Sequence, residues 1–200
     1  LYVFQRNLIY QPIPYTPANV QSENFKVNGE NLNIVKINEN KKDAIIYLGG
    51  NNEVVVYNVD AFKEMFPKHT VYLLNYRGFG RSTGTPNEKA LYKDVLYLYD
   101  VIKKRHSNIS VLGRSLGSGI ATYLAVNRKI HKMILVTPYD SIEEIAKERF
   151  YVYPISVLLK DKYDSISRIK HINAKTLILL AQFDQIVPLK NSLKLIKEFP

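Results

Sequence analysis

Short, wholly apolar runs separated by longer helical stretches set the strongest limit on how this 200-residue chain can fold. The runs lie in DAIIYLGG (43–50), TVYLLNYRG (70–78), ISVLG (109–113), KMILVTP (132–138) and TLILLA (176–181). A strand with one wet face alternates polar and apolar residues. These runs do not alternate, so they read as strands buried on both faces. Between them, residues 87–106 place Leu91, Val95, Leu98 and Ile102 on one helical face and close on a basic turn. The second half of EVVVYNVDAFKEMFP (53–67) also has helical spacing, closed by Pro67. Strand and helix in alternation imply a mostly parallel sheet with helices on both faces. NLNIVKIN (31–38) reads as an edge or early strand. Pro12, Pro14 and Pro17 exclude a long helix from residues 1–19, which read as an extended arm packing its Tyr and Phe side chains onto the domain. Residues 140–160 break the rhythm and read as an insertion with one or two short helices, placed like a lid on a single domain spanning 1–200.

Composition excludes several classes of function. The chain has no cysteine, which removes disulfides and thiolate metal sites. No His/Asp/Glu cluster has metal-ligand spacing, and no Lys-Ser/Thr follows the glycines as in a phosphate-binding loop, so neither a metal nor another cofactor is expected. The net charge of +10 has two readings: a solvated surface, or attraction to anionic lipid head groups or acidic substrates. The basic residues fall in separate groups, Lys41-Lys42, Lys103-Lys104-Arg105 and Arg128-Lys129, without one aromatic-interleaved stripe, so nucleic acid is not an expected partner. No run approaches the 18 apolar residues of a membrane span. The chain starts at Leu1 rather than Met. The expectation is a removed N-terminal signal or anchor, through which peripheral membrane contact would arise, and a cytoplasmic or membrane-anchored location.

The segment SVLGRSLGSG (110–119) contains Gly113-Arg114-Ser115-Leu116-Gly117, a Gly-x-Ser-x-Gly pattern. An apolar strand precedes it and an apolar helical stretch, 116–129, follows it. A serine nucleophile on a tight strand-to-helix turn needs that context, and the two glycines avoid collisions in the crowded turn.

With NYRGFGRSTG (75–84) added, the chain resembles the α/β-hydrolase superfamily. It is similar to the serine-hydrolase branch that includes serine-aminopeptidase-like and membrane-anchored acyl-protein-thioesterase-like members. The resemblance runs from LIYQP to FDQIVP and implies the α/β-hydrolase fold, a Ser115 nucleophile and a small lid. It implies Asp184 as the acid, in LILLAQFDQIVP, with Ala181 where the pattern has glycine. An acid there would orient a histidine and stabilise its imidazolium. An oxyanion hole needs two backbone N–H groups aimed at one point, and the resemblance assigns these to Leu116 and Asn51. The related loops read His-Gly-Asn where this chain reads Gly49-Gly50-Asn51, a departure that bears on the rigidity of the loop. Gly50, Arg77 and Tyr139 are the expected substrate contacts. Arg77 has a second reading, a pairing with a buried acid such as Asp94. The aromatics Tyr139, Phe150, Tyr151 and Tyr153 would either line an acyl pocket or pack the lid.

The base is the unfilled role. His69, His106, His131 and His171 all sit at strand starts or helix ends, away from the carboxyl ends of strands where catalytic loops gather. The resemblance places the base after one more strand, so a histidine beyond Pro200, with a final strand and helix, is expected. TLILLA would otherwise be left as an apolar sheet edge. The expected function is a serine hydrolase cleaving an ester, thioester or amide of a small-molecule or acylated substrate through an acyl-enzyme on Ser115. The alternative is a non-catalytic scaffold of the same fold that binds a partner or an anionic membrane surface.

Overall fold

The computed structural model describes residues 5–14 and 19–199. Seven strands form one sheet in the order β1-β2-β4-β3-β5-β6-β7. The strands are β1 (Ser22–Val27), β2 (Glu30–Ile37), β3 (Asp43–Leu48), β4 (His69–Leu74), β5 (Asn108–Arg114), β6 (Lys132–Val136) and β7 (Lys175–Leu179). From β4 to β7 all pairings are parallel. The β1–β2 hairpin joins that sheet antiparallel through β4. The five apolar runs of the sequence are the five parallel strands, so the mostly parallel sheet expected from them is the observed one.

Strand β1 was not legible from apolarity, because only Phe25 and Val27 of its six residues are buried. Its turn did carry a signal. Asn28 and Gly29 have φ of 50° and 82°, the paired left-handed geometry that Asn-Gly adopts in a two-residue hairpin.

Eight α-helices and one 3-10 turn (Val55–Asn58) accompany the strands among the described residues. The α-helices are α1 (Gln5–Ile9), α2 (Val59–Met65), α3 (Glu88–Ile102), α4 (Leu116–Asn127), α5 (Ile142–Arg149), α6 (Ile155–Leu158), α7 (Ile166–Ile169) and α8 (Leu189–Ile196). Helix α3 starts where the Asn87 side chain accepts the Ala90 N–H at 2.9 Å, a cap that satisfies one free donor of the first turn. Leu91, Val95, Leu98 and Ile102 are buried as their spacing requires. They pack with Ile120, Leu124 and Leu195 on one side of the sheet. On the other side Val59 and Phe62 of α2 cover Ile45, Tyr47, Val71 and Leu73. The basic triplet 103–105 falls just beyond α3 rather than in its last turn, so it meets the carbonyl end from outside. The proline-rich arm is not wholly extended: Gln5–Ile9 makes one short helix, and Tyr10 is buried at 3% exposure. The expectations for residues 1–4 and 15–18 lie outside the described residues.

Residues 140–160 carry α5 and α6. Helix α5 is capped by the Ser141 hydroxyl, which accepts the Glu144 N–H at 3.0 Å. Glu143 pairs with Lys162 at 2.8 Å and with Lys147 at 2.9 Å. The Lys162 ammonium, then that of Lys147, holds the Glu143 carboxyl down at about 2, against its ordinary 4.5. A depressed carboxyl contributes stability above its unfolded pKa and loses it as pH falls through the folded one. The Lys162→Gln variant should therefore melt below the parent at pH 6, and the gap should close between pH 4.5 and 2. Thermal melts across that range check this; a gap independent of pH would contradict it.

Among the described residues strand β7 lies at the sheet edge, with Leu177 and Leu179 about half exposed. From it the chain runs through residues 180–188 into α8.

Candidate active site

Strand β5 delivers Ser115 to the carboxyl end of the sheet, between Arg114 and the first residue of α4. Its φ of 49° and ψ of −117° lie outside the regions that side-chain-bearing residues favour. Three contacts hold the turn. The Ser115 N–H donates to the Val136 carbonyl at 2.9 Å, and both the N–H and the hydroxyl of Ser118 donate back to the Ser115 carbonyl. The flanking glycines are steric necessities. A Cβ on Gly117 would collide with the Leu48 carbonyl oxygen, and one on Gly113 would lie 2.6 Å from the Gly117 carbonyl oxygen. Ser115 is half-buried and opens onto a cavity of about 210 Å³.

The cavity is apolar. Asn51, Ser115, Leu116 and Tyr139 line it. Ile142 and Ile145 of α5 and Ile155 and Leu158 of α6 wall it, and Leu8 and Ile9 of α1 close another side. Sequence reading missed these aliphatic walls, which come from segments far apart in the chain. Of the four aromatics singled out, Tyr139, Phe150 and Tyr153 line the cavity, and Tyr151 instead projects outward at 85% exposure. Tyr139 is itself buried, its hydroxyl donating to the Leu116 carbonyl at 3.2 Å. Burial pushes its phenol far above the usual range, so it stays protonated.

The loop after β3 approaches the same point. Leu116 opens α4, where a first-turn N–H has no partner within the helix. Among the described residues no hydrogen bond uses the backbone N–H of Leu116 or Asn51. The Asn51 side chain is engaged: its Oδ1 accepts the Gln11 N–H at 2.9 Å. Gly50 is not among the residues that line the cavity, and its N–H donates to Glu53 Oε2 at 2.6 Å, a bond that shapes the loop. A Cβ at Gly50 would lie 3.6 Å from Ser115 Cβ, which shows how near the loop comes to the serine.

Asp184 sits in the loop after β7. Its Oδ1 accepts the N–H groups of Ile186 and Val187 at 2.8 and 2.9 Å. Those bonds lock a turn of the type Asp favours and aim the carboxylate with two backbone donors. Its Oδ2 accepts no hydrogen bond among the described residues, while Ile186 and Val187 line the cavity. None of the four histidines lines the cavity. His69 begins β4, His131 precedes β6 and His171 precedes β7. The His106 ring bonds the Tyr72 hydroxyl and the Lys41 carbonyl.

Of the two readings of Arg77, the geometry matches the pairing with Asp94, and Arg77 is not among the residues that line the cavity. Its guanidinium donates twice to Asp94, each bond 2.7 Å, and both side chains are buried. Bidentate geometry of that kind is a strong and directional pairing. Among the described residues no group of three potential metal ligands occurs, and no helix is long and apolar enough to cross a membrane.

A family model described as the alpha/beta hydrolase fold matches residues 43–155, more than half of the chain, and the chain belongs to that family. An uncharacterized protein of Acanthamoeba polyphaga mimivirus is 33% identical over 185 residues, covering 81% of this chain and 63% of the relative. The lysophosphatidylserine lipase ABHD12 of Macaca fascicularis is 32% identical over 172 residues, covering 74% of this chain and 41% of the relative. The chain thus spans less than two thirds of the length of these relatives. Among solved structures, Est1E of Butyrivibrio proteoclasticus with bound ferulic acid superposes with a TM-score of 0.74 at 18% identity, covering 88% of this chain and 85% of the other. That likeness is one of fold.

Proposed function

We propose that this chain carries the nucleophile, acid and oxyanion hole of a serine hydrolase that cleaves the ester of a single-chain acyl substrate. The observation that carries the reading is Ser115 on its strained turn, lining an apolar cavity. In this reading Ser115 attacks the ester carbonyl, and the N–H groups of Asn51 and Leu116 bind the oxyanion. The alcohol leaves, and water releases the acyl group from Ser115. Asp184 orients the base through its open Oδ2. The acyl chain lies along Ile142, Ile145, Ile155 and Leu158, and residues 140–160 act as the lid. The lipase among the relatives, named for a lysophospholipid, supports an acyl-lipid substrate over a peptide.

A chain-length series tests this. With p-nitrophenyl esters of two to sixteen carbons and the full-length protein, kcat/KM should climb until the cavity is filled. The limit on that climb is about 0.8 kcal/mol per buried methylene, roughly fourfold each. Acetate as the best substrate would contradict an acyl pocket. Asp184→Asn should lower kcat by roughly 10⁴-fold, because the base would lose its tautomer and orientation; a change below tenfold would remove Asp184 from the mechanism.

A further inference from the structure

Glu53 is a half-buried carboxylate that the mechanism above does not use. Its side chain is 11% exposed. Its two oxygens gather donors from four separate places. Oε1 accepts the hydroxyl of Tyr47, in β3, and the Asn58 amide at 2.7 Å, just before α2. Oε2 accepts the Gly50 N–H at 2.6 Å and pairs with Arg114 at 3.3 Å, the residue immediately before Ser115. One carboxylate therefore ties the end of β3, the loop bearing Asn51, the start of α2 and the serine turn together. Burial, then the Glu53 charge, pushes the Tyr47 phenol far above the usual range, which keeps it a donor in this network.

The two glycines make room for that carboxylate. A Cβ on Gly49 would lie 3.3 Å from Glu53 Cδ and from Val55 Cγ1, and one on Gly50 would lie 3.3 Å from Glu53 Oε2. A side chain at 49 would crowd Glu53 and Val55, which would have to give by a few tenths of an ångström. The departure noted in the sequence has its counterpart four residues later.

We infer that Glu53 is a positioning residue that braces the oxyanion loop, in place of a side chain at position 49, and leaves Asn51 as the residue whose N–H faces the substrate oxygen. Glu53 consumes the Gly50 N–H, so that donor is withdrawn from the site. Arg114 lies against the same oxygen and offsets a negative charge that would otherwise oppose a developing oxyanion. An oxyanion donor matters only when the carbonyl oxygen becomes charged, so misplacing one lowers kcat rather than raising KM.

This inference rests on the hydrolase reading for its kinetic part but not for its structural part. In the full-length protein, Glu53→Ala should lower kcat about 10- to 100-fold with KM within about twofold, short of the larger loss from deleting a donor outright. Glu53→Gln should recover most of that loss. Its amide oxygen can still accept the Gly50 N–H, while Asn58 and the Tyr47 hydroxyl reverse to accept from its NH₂. Hydrogen exchange of the Gly50–Asn52 amides, read by mass spectrometry, needs no activity. Exchange should quicken in Glu53→Ala and stay near the parent rate in Glu53→Gln. Unchanged exchange and unchanged kcat in Glu53→Ala would overturn the brace. A rise in KM alone would also overturn it. A parent protein without esterase activity would sink the hydrolase reading, and exchange would then decide the brace by itself.

Discussion

Ser115→Gly is expected to abolish ester hydrolysis and, at the same time, to raise the melting temperature. The catalytic half follows, on the proposed mechanism, from losing the nucleophile, which costs serine hydrolases on the order of 10⁶-fold in kcat. The stability half follows from the backbone. At φ 49° and ψ −117° a side-chain-bearing residue is strained, by about 1–3 kcal/mol, and glycine is not. Part of that relief is offset, because glycine also gives the unfolded chain more freedom. A net gain of about 1 kcal/mol is expected, or roughly 2–4 °C for a chain of this size. Ser115→Ala separates the two effects: it should be as inactive as the glycine variant but melt with the parent. The turn stores its strain for a reason if both variants behave so. A glycine variant that melts below the parent would show that the turn is not strained.

Arg77→Ala is expected to be among the most destabilising substitutions outside the apolar core. Asp94 is 1% exposed at its side chain, and Arg77 is 10% exposed. Desolvation already raises the Asp94 pKa, with Arg77 pulling it back down. Removing the guanidinium would leave a carboxylate buried without its partner, at a cost of about 3–5 kcal/mol. The Arg77→Met, Asp94→Leu double variant should recover most of that loss, because neither side chain then needs a partner. The comparison also separates the two readings of Arg77. A structural pair predicts that any folded Arg77 variant keeps its KM, whereas a substrate contact predicts a raised KM. Chemical denaturation of the two variants, with KM measured wherever folding permits, is the check.

The contrast between β1 and β3 shows what part of this fold is written locally. Strand β3 is apolar on both faces because helices cover both, so residues 43–48 announce themselves. Strand β1 buries only Phe25 and Val27, and its identity lies in the Asn28-Gly29 turn more than in its strand residues. The serine turn was legible because its steric demands fall on neighbours in sequence: Gly113 and Gly117 are each two residues from Ser115. Arg77 was ambiguous because its partner is 17 residues away, and nothing local states whether a guanidinium turns inward. The cavity walls were invisible for the same reason, being assembled from α1, α5, α6 and the loop after β7. Glu53 was missed although it lies close in sequence to Gly49. Its meaning depends on Arg114, 61 residues on, being brought beside it. A glycine in place of an expected histidine was the signal available, and it directs attention to whichever nearby residue fills the space.

The central claim is that Ser115 is a nucleophile, and one measurement bears on it most directly. The full-length protein would be treated with a fluorophosphonate, digested, and the peptide spanning the serine turn examined by mass spectrometry. The account predicts a single phosphonyl adduct on Ser115, lost in Ser115→Ala and slowed sharply in Asp184→Asn. An unmodified Ser115, in a protein whose other serines react no faster than those of a denatured control, would contradict the account and leave a hydrolase fold without hydrolase chemistry.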